Sequence, residues 1–400
     1  VEARTGAELV DRAVPPADTV ARVRPHLQRM GITRLADLTG LDRIGVPVFA
    51  AVRPNARSVA TSQGKGLTPD AARASALMEA VEGWHAERPP GPLRLAAASE
   101  LQNQRLVDLA RLPHLAGTRF DPDRPILWSE GADIVTGEPV LLPYEMVHTD
   151  YRLPQPPAAG CFPVSSNGLG AGNTRAEALR HALLELVERD AVSLWQQRPA
   201  AERRAGRVDV ADGVSTALGG LVARLGAAGF ALGIHDVTSD LAVPTFVAVI
   251  ADRLDPAGHA GFGSAAHLSA AHAARAALLE AVQVRTSYIA GARDDLAPAE
   301  YAAGGPAAKT RWVEPLLGDD GTARPLPPDA PAAAHSVEAQ LVWLLARLAA
   351  AGMDRAVAVD LARPDVGLPV VRVVVPGLEG TADDPDYVPG ARALALGRRS

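Results

Sequence analysis

One segment of this chain is written twice, and that limits the fold more than any other feature. Sliding Gly64–Glu82 (GKGLTPDAARASALMEAVE) forward by 106 positions lays it on Gly170–Glu188 (GAGNTRAEALRHALLELVE) without a gap. Both glycines, Thr68/Thr174, Ala72/Ala178, an Ala-Leu pair, two glutamates and a valine coincide. A weaker third copy, Ala276–Gln283, aligns with Ser75–Glu82 and with His181–Glu188. Solenoid repeats recur every 20–50 residues, and these copies lie about a hundred residues apart. The pattern therefore predicts three related helices gathered around one site.

The first two copies carry clear helix starts. Thr68-Pro69 pairs a favoured N-cap with a favoured first helical residue. Thr174-Arg-Ala-Glu177 is a capping box, in which side chains at both ends satisfy backbone donors. Residues three and four apart share a helix face, so Ser75, Glu79 and Glu82 form one stripe. His181, Glu185 and Glu188 form a second stripe, and Ala276, Glu280 and Gln283 a third. A glutamate pair at this spacing usually marks a solvated face. Here Leu183, Leu184, Leu186 and Val187 surround Glu185, and Ala76, Leu77, Met78, Ala80 and Val81 surround Glu79. A mostly apolar helix is mostly buried, and buried carboxylates must be paired or must hold cations. Magnesium, a hard cation that prefers carboxylate oxygen and is often shared with phosphates, fits Glu79, Glu82, Glu185 and Glu188. Lys65 adds to this. The chain has 40 Lys and Arg, of which only Lys65 and Lys309 are lysine. Lys65 stands between two glycines just ahead of the first repeat helix, where an ammonium reaches phosphate as a point charge.

Elsewhere the spacing predicts helices over Val20–Met30, Leu35–Leu41 and Leu93–Leu109. Strands are expected over Gly45–Val52, Ile126–Ser129 and Pro139–Val147. Two units share one order: a helix (Leu221–Phe230; Leu344–Met353), a strand (Ile234–Val237; Val357–Leu361) and a second strand (Thr245–Ile250; Val370–Val375). Strands so close in sequence pair as hairpins, which gives an α+β fold of antiparallel or mixed sheets with helices. The third repeat helix is expected over Ala265–Ile289, loop over Pro306–Ser336, and a surface-wrapping tail from Pro376. Residues 1–55 are expected as an N-terminal helix-and-strand segment and 56–395 as a catalytic domain.

Composition removes several classes. A net charge of −6 leaves no electrostatic footprint for nucleic acid. No apolar run reaches the roughly 20 residues of a membrane-spanning helix, and no secretory signal opens the chain, so a cytoplasmic protein is expected. Cys161 is the single cysteine, which excludes an intrachain disulfide and a cysteine-rich zinc site. It reads as packing, as His235, His267 and His272 read as structural or surface residues. There is no G-x-x-x-x-G-K-[ST], H-E-x-x-H or G-x-S-x-G, and Glu-x-x-His occurs only once in the repeats, at Glu82–His85, which argues against a di-iron bundle.

Taken together, Ser62-Gln-Gly-Lys65-Gly, Ser75-x3-Glu79-x2-Glu82, Ser166-Asn167-Gly168-Leu169, Glu185-x2-Glu188-Arg189-Asp190 and the ending Leu368-Pro-Val-Val-Arg-Val-Val-Val-Pro376-Gly377-Leu378-Glu379 resemble the YcaO superfamily over about residues 45–395. The resemblance implies a YcaO-like fold built from internal repeats around a nucleotide site, and an ATP-dependent enzyme that phosphorylates a peptide amide oxygen. It further implies ATP and Mg2+ as cofactors, with Glu79, Glu82, Glu185 and Glu188 on metal and phosphates. Lys65 and Arg189 would neutralise phosphate charge, and Ser75, His181, Glu280 and Gln283 would complete the nucleotide pocket. Members of the superfamily often carry Arg four residues before the third-helix glutamate. Ala276 stands there instead, and Arg275 points about 100° away around the helix. The stretch from Gly31 to Pro54 resembles the branch paired with TfuA proteins, and no Pro-x-Pro-x-Pro ending is present. That branch implies thioamide formation in a ribosomally made precursor peptide with a TfuA-like sulfur-delivery partner, and a homodimer. An azoline-forming cyclodehydratase and a non-catalytic ATP-binding accessory protein are the alternatives.

Overall fold

The computed structural model describes residues 12–156, 159–210, 216–255, 258–296, 298–302, 305–318, 323–380 and 386–397. Helix α1 (Pro16–Val23) leads into strands β1 (Arg34–Asp37), β2 (Val48–Val52) and β3 (Thr61–Lys65), which run directly into α2 (Pro69–Ala86). Strands β4 (Arg94–Ala96), β5 (Ile126–Asp133), β6 (Pro139–Pro143) and β7 (Leu169–Ala171) precede α3 (Arg175–Gln196). Then come α4 (Ala200–Arg204), β8 (Val208–Asp209), α5 (Thr216–Ala227), β9 (Phe230–Asp236), β10 (Thr245–Asp252), β11 (Gly261–Ala266) and α6 (Ala270–Ala290). The chain closes with α7 (Gly305–Leu317), β12 (Arg324–Pro325), α8 (Val337–Ala350), β13 (Val357–Asp360), β14 (Val370–Val374) and α9 (Ala391–Gly397).

Three antiparallel sheets carry the structure. They run β1-β2-β3, β11-β10-β9, and β4-β5-β13-β14-β7 with β6 added on β5; β8 and β12 form a two-residue parallel pair. The expected α+β class of antiparallel and mixed sheets with helices is the observed one. Residue 55 lies in the connection between β2 and β3, which pair from Val48↔Lys65 to Val52↔Thr61.

Successive strand residues face opposite ways, and β2 is buried on both sides. Phe49 and Ala51 join an apolar cluster with Leu77 and Val81 of α2 and Trp128 of β5. Val48 and Ala50 pack into another with Phe246 of β10 and Leu278 of α6. Strand β14 divides its valines likewise: Val370 and Val374 join the first cluster, and Val371 and Val373 pack with Leu183 and Val187 of α3. Arg372 alone interrupts that strand.

The repeated segments share one packing device. A Cβ on Gly64 would stand 2.3 Å from Ala72 O and 2.0 Å from Ala76 N; one on Gly170 would stand 2.3 Å from Ala178 O and 2.9 Å from Ala182 N. The same spacing of glycine and alanine thus presses α2 onto β3 and α3 onto β7. Helix α6 meets β11 in the same manner through Gly263, 2.3 Å from Ala277 O and 2.4 Å from Ala281 N on that measure.

Four local expectations are corrected. Leu35–Leu41 forms β1 and a short 3-10 turn (Thr39–Leu41), because pairing with β2 overrides the helical leucine spacing. Leu93–Leu109 forms β4 and 3-10 turns, since Arg94–Ala96 pairs with β5. The first helix starts at Pro16 and gives way to 3-10 geometry at Arg24-Pro25. Pro306–Ser336 is not all loop, for it contains most of α7, whose Val313 and Leu316 pack against β10 residues Val247 and Val249.

Candidate functional site

The three strand–helix units close into a ring through their own side chains. Glu82 of α2 accepts from Ala171 N of β7 at 2.7 Å. Glu188 of α3 accepts from Ser264 Oγ of β11 at 2.6 Å. Ser287 of α6 donates to Gln63 Oε1 of β3. Within units, Glu79 accepts from Gln63 N at 3.3 Å and Glu280 from Ser264 N at 3.2 Å. Backbone N–H groups of the strands thus hold Glu79, Glu82 and Glu280, a strand hydroxyl holds Glu188, and the stripes face one cleft.

The electrostatics place all five carboxylates in one constellation. Glu185 and Glu79 raise Glu82; Glu280 raises Glu79, Glu185 and Glu188. Loss of hydration is the larger cause at every one of these four groups. It lifts Glu79 and Glu185 to about 7, against the pull of Lys65 and Arg293 on the former and Arg189 on the latter. Glu82 rises well above the carboxylate range, and Glu188 rises as well. Glu79 is itself exposed, yet lost hydration is the first cause that raises it. Glu82 and Glu188 each expose only 13% of the side chain.

The remaining expected residues lie around this cleft. Lys65, the last residue of β3, attracts Glu79 and Glu188. Arg189 Nη1 stands 3.8 Å from Glu188 Oε1, and His181 Nε2 stands 3.8 Å from Glu82 Oε1 across two helices. Ser75 is half-buried one turn before Glu79. Gln283 is buried, and its Oε1 has no hydrogen-bond partner. Ala276 packs with the apolar cluster under α6, and Arg275 turns to His272 Nδ1 at 3.3 Å. Outside the cleft, Cys161 lies 3.9 Å from His114, and burial raises its thiol pKa, which suits packing better than nucleophilic chemistry. His235 is buried against Leu316 O.

Two arginines were not found from sequence. Arg293, just past the end of α6, attracts Glu79 while paired with Asp295. It brings positive charge to the cleft on the unit where Ala276 supplies none, and nothing in its sequence neighbourhood signals this. Arg372 is 1% exposed, donates to Ser165 O at 2.7 Å, and acts on Glu185. Its signal was legible: one charge inside a run of valines. Burial lowers it to about 10, so it stays charged at neutral pH.

Among the described residues no three His, Cys, Asp or Glu side chains stand together as a ready-made metal cage. The carboxylates line the cleft instead, their pKa values raised first by lost hydration and further by one another. That is the donor set of a hard cation completed by non-protein oxygens, as magnesium is by phosphates.

Fold and cleft together define an α+β protein in which three helices bring carboxylates to one cleft. A family model described as "YcaO cyclodehydratase, ATP-ad Mg2+-binding" matches residues 63–379. The chain belongs to the YcaO family, and ATP and Mg2+ are that family's ligands. A Rhizobium leguminosarum bv. trifolii protein, described as lying in the tfuA 3′ region, is 38% identical over 92% of this chain and 89% of its own length. A Methanothermobacter thermautotrophicus protein is 35% identical over 94% of this chain and 97% of its own. The structure of YcaO from Methanopyrus kandleri bound with AMPPCP and Mg2+ matches with a TM-score of 0.74 at 26% identity, covering 94% of each chain. A heterocyclase in complex with substrate and cofactor shares the fold, with a TM-score of 0.75 at 23% identity, over 92% of this chain and 53% of that one. Among the described residues no helix is long and apolar enough to cross a membrane.

Proposed function

We propose that this protein activates a backbone amide of a ribosomally made peptide at the expense of ATP and installs a thioamide, working with a TfuA-type sulfur-delivery partner. The observation that carries this reading is the ring of carboxylates on α2, α3 and α6 in a chain 38% identical to a protein of the tfuA 3′ region. Glu79, Glu82, Glu185 and Glu188 would hold magnesium, which would supply positive charge against the nucleotide's phosphates. Lys65 and Arg189 take up phosphate charge, and Ser75, His181, Glu280 and Gln283 complete the pocket. The protein's part is positioning and electrostatic stabilisation, the usual division of labour in phosphoryl transfer.

In the reaction hydrosulfide, supplied by the partner, adds to the amide carbon, and the C=O pair moves onto oxygen. That oxyanion takes the γ-phosphoryl group and releases ADP. Collapse to C=S expels the phosphorylated oxygen as inorganic phosphate, with the S–H proton. The experiment is to incubate the protein with ATP, Mg2+, sulfide, a TfuA-type protein and a candidate precursor peptide, then weigh the peptide. A mass gain equal to sulfur replacing oxygen supports the reading. The family model's own description favours a second one, azoline formation by a Cys, Ser or Thr side chain; loss of one water identifies it. ATP binding with no peptide-dependent phosphate release identifies an accessory protein and overturns both.

A further inference from the structure

Gln63 of β3 reaches two helices of the site at once. Its backbone N–H holds Glu79 of α2 at 3.3 Å, and its carboxamide oxygen accepts from Ser287 of α6. Strand register explains the second contact. Gln63 pairs with Ala50 of β2, and directly opposed residues point to the same face of a sheet. Ala50 packs in the cluster that holds Leu278 and Val282 of α6, so Gln63 faces that helix too. Its side chain is 1% exposed, a long amide shut between sheet and helix.

Two complementary atoms at this interface are unsatisfied. Gln63 Nε2 is buried without a partner, and so is Gln283 Oε1. Gln283 precedes Ser287 by one turn on the same helix face, and its backbone O lies 2.7 Å from Ser287 Oγ. The hydroxyl therefore ties Gln63 to the turn of α6 that carries Gln283. The two ends of the Gln283 amide differ. Its Oε1 is shut inside, while its Nε2, neither bonded nor enclosed, is the end left to the cleft. Native proteins pair nearly all buried donors and acceptors, and here one unpaired donor and one unpaired acceptor share an interface.

We infer that Gln63 is a positioning residue of the nucleotide site: its amide N–H closes onto Gln283 Oε1 when the site is loaded and keeps the Gln283 NH2 turned toward the phosphates. A carboxamide has one acceptor end and one donor end. With the acceptor end held inside the protein, donor hydrogens alone face the cleft, which suits an anion. Reversed, Gln283 would set a carbonyl dipole against phosphate oxygen. Because the Gln63 backbone also holds Glu79, one residue sets a carboxylate on α2 and an amide on α6. The assignment rests on the Mg2+-nucleotide part of the proposed function and is independent of whether the product is a thioamide or an azoline.

The test is a double-mutant cycle on Mg2+-AMPPCP affinity, read by isothermal titration of the full chain. Gln63→Met keeps the side-chain length and the backbone N–H to Glu79 and removes the amide. Gln63→Met and Gln283→Met are each expected to weaken the nucleotide about fivefold or more. The double variant should bind no more weakly than Gln283→Met alone, since Gln63 acts through Gln283; a merely structural loss would multiply the two factors. Multiplied factors, or a Gln63→Met protein that binds as wild type does, overturn the positioning role. If Gln63→Met does not fold, a crystal structure of wild type with Mg2+ and AMPPCP decides. Gln63 Nε2 within about 3.2 Å of Gln283 Oε1 supports the role, and a Gln283 Oε1 bonded elsewhere or to nothing overturns it. Wild type that binds no nucleotide overturns the nucleotide-site reading and the positioning role with it.

Discussion

Glu185 sits where the three units meet, raised by lost hydration and by Glu188 and Glu280, and lowered by Arg189 and Arg372. Glu185→Gln is expected to weaken Mg2+-dependent nucleotide binding by about tenfold or more while the protein stays folded. Isothermal titration with and without Mg2+ reads this directly. The pH dependence has a definite sign. Glu79 and Glu185 hold their protons up to about 7 in the folded chain and release them near the ordinary carboxylate value of 4.5 when unfolded. Their contribution to stability is therefore full below about 4.5 and is lost as pH rises through about 7. Magnesium needs the ionised carboxylates, so the rise in melting temperature on adding Mg2+ and AMPPCP should be larger above about pH 7 than below it. In Glu185→Gln that pH dependence should shrink.

Helices α2, α3 and α6 are held by close glycine-to-backbone contacts as well as by apolar side-chain packing. Gly64→Val would drive a side chain into Ala72 O and Ala76 N, and overpacking of this kind costs about 1–3 kcal/mol or more. Chemical denaturation should show that loss, with nucleotide affinity falling as α2 backs away from β3. Gly220 in α5 is the contrast, since nothing stands within 4 Å of its would-be Cβ. Gly220→Ala should stabilise by about 0.5–1 kcal/mol through helix propensity alone. These elements were legible in the sequence because their signals are local. Thr68 accepts from Ala71 N and Thr174 from Glu177 N, as their caps predict. The reading of Leu35–Leu41 as helix missed β1 because its partner, β2, is chosen by long-range pairing. Helix α7 was hidden by its composition, with Pro315 inside the helix itself. In the site, the stripe residues could be read from helical spacing. Arg293 and Ser264 could not, since loops and other units deliver them.

At the scale of the whole molecule, the C-terminal segment is clamped beneath α3. Asp190 is fully buried, pairs with Arg392 of α9 at 2.9 Å and accepts from Glu379 N at 3.0 Å. Glu379 in turn accepts from Gly390 N, Ala393 N and Tyr387 Oη. Asp190 is the neighbour of Arg189, so the clamp also fixes the helix that carries His181, Glu185, Glu188 and Arg189. Asp190→Asn leaves Arg392 without its buried partner and should cost about 3 kcal/mol in urea denaturation. The three units and this clamp lead to one claim, that helices far apart in sequence serve a single Mg2+-nucleotide site. The most direct test is Mg2+-AMPPCP affinity in Glu82→Gln, Glu188→Gln and Glu280→Gln, one variant from each helix. All three should lose Mg2+-dependent affinity together, and a Glu280→Gln protein that binds as wild type does would contradict the account.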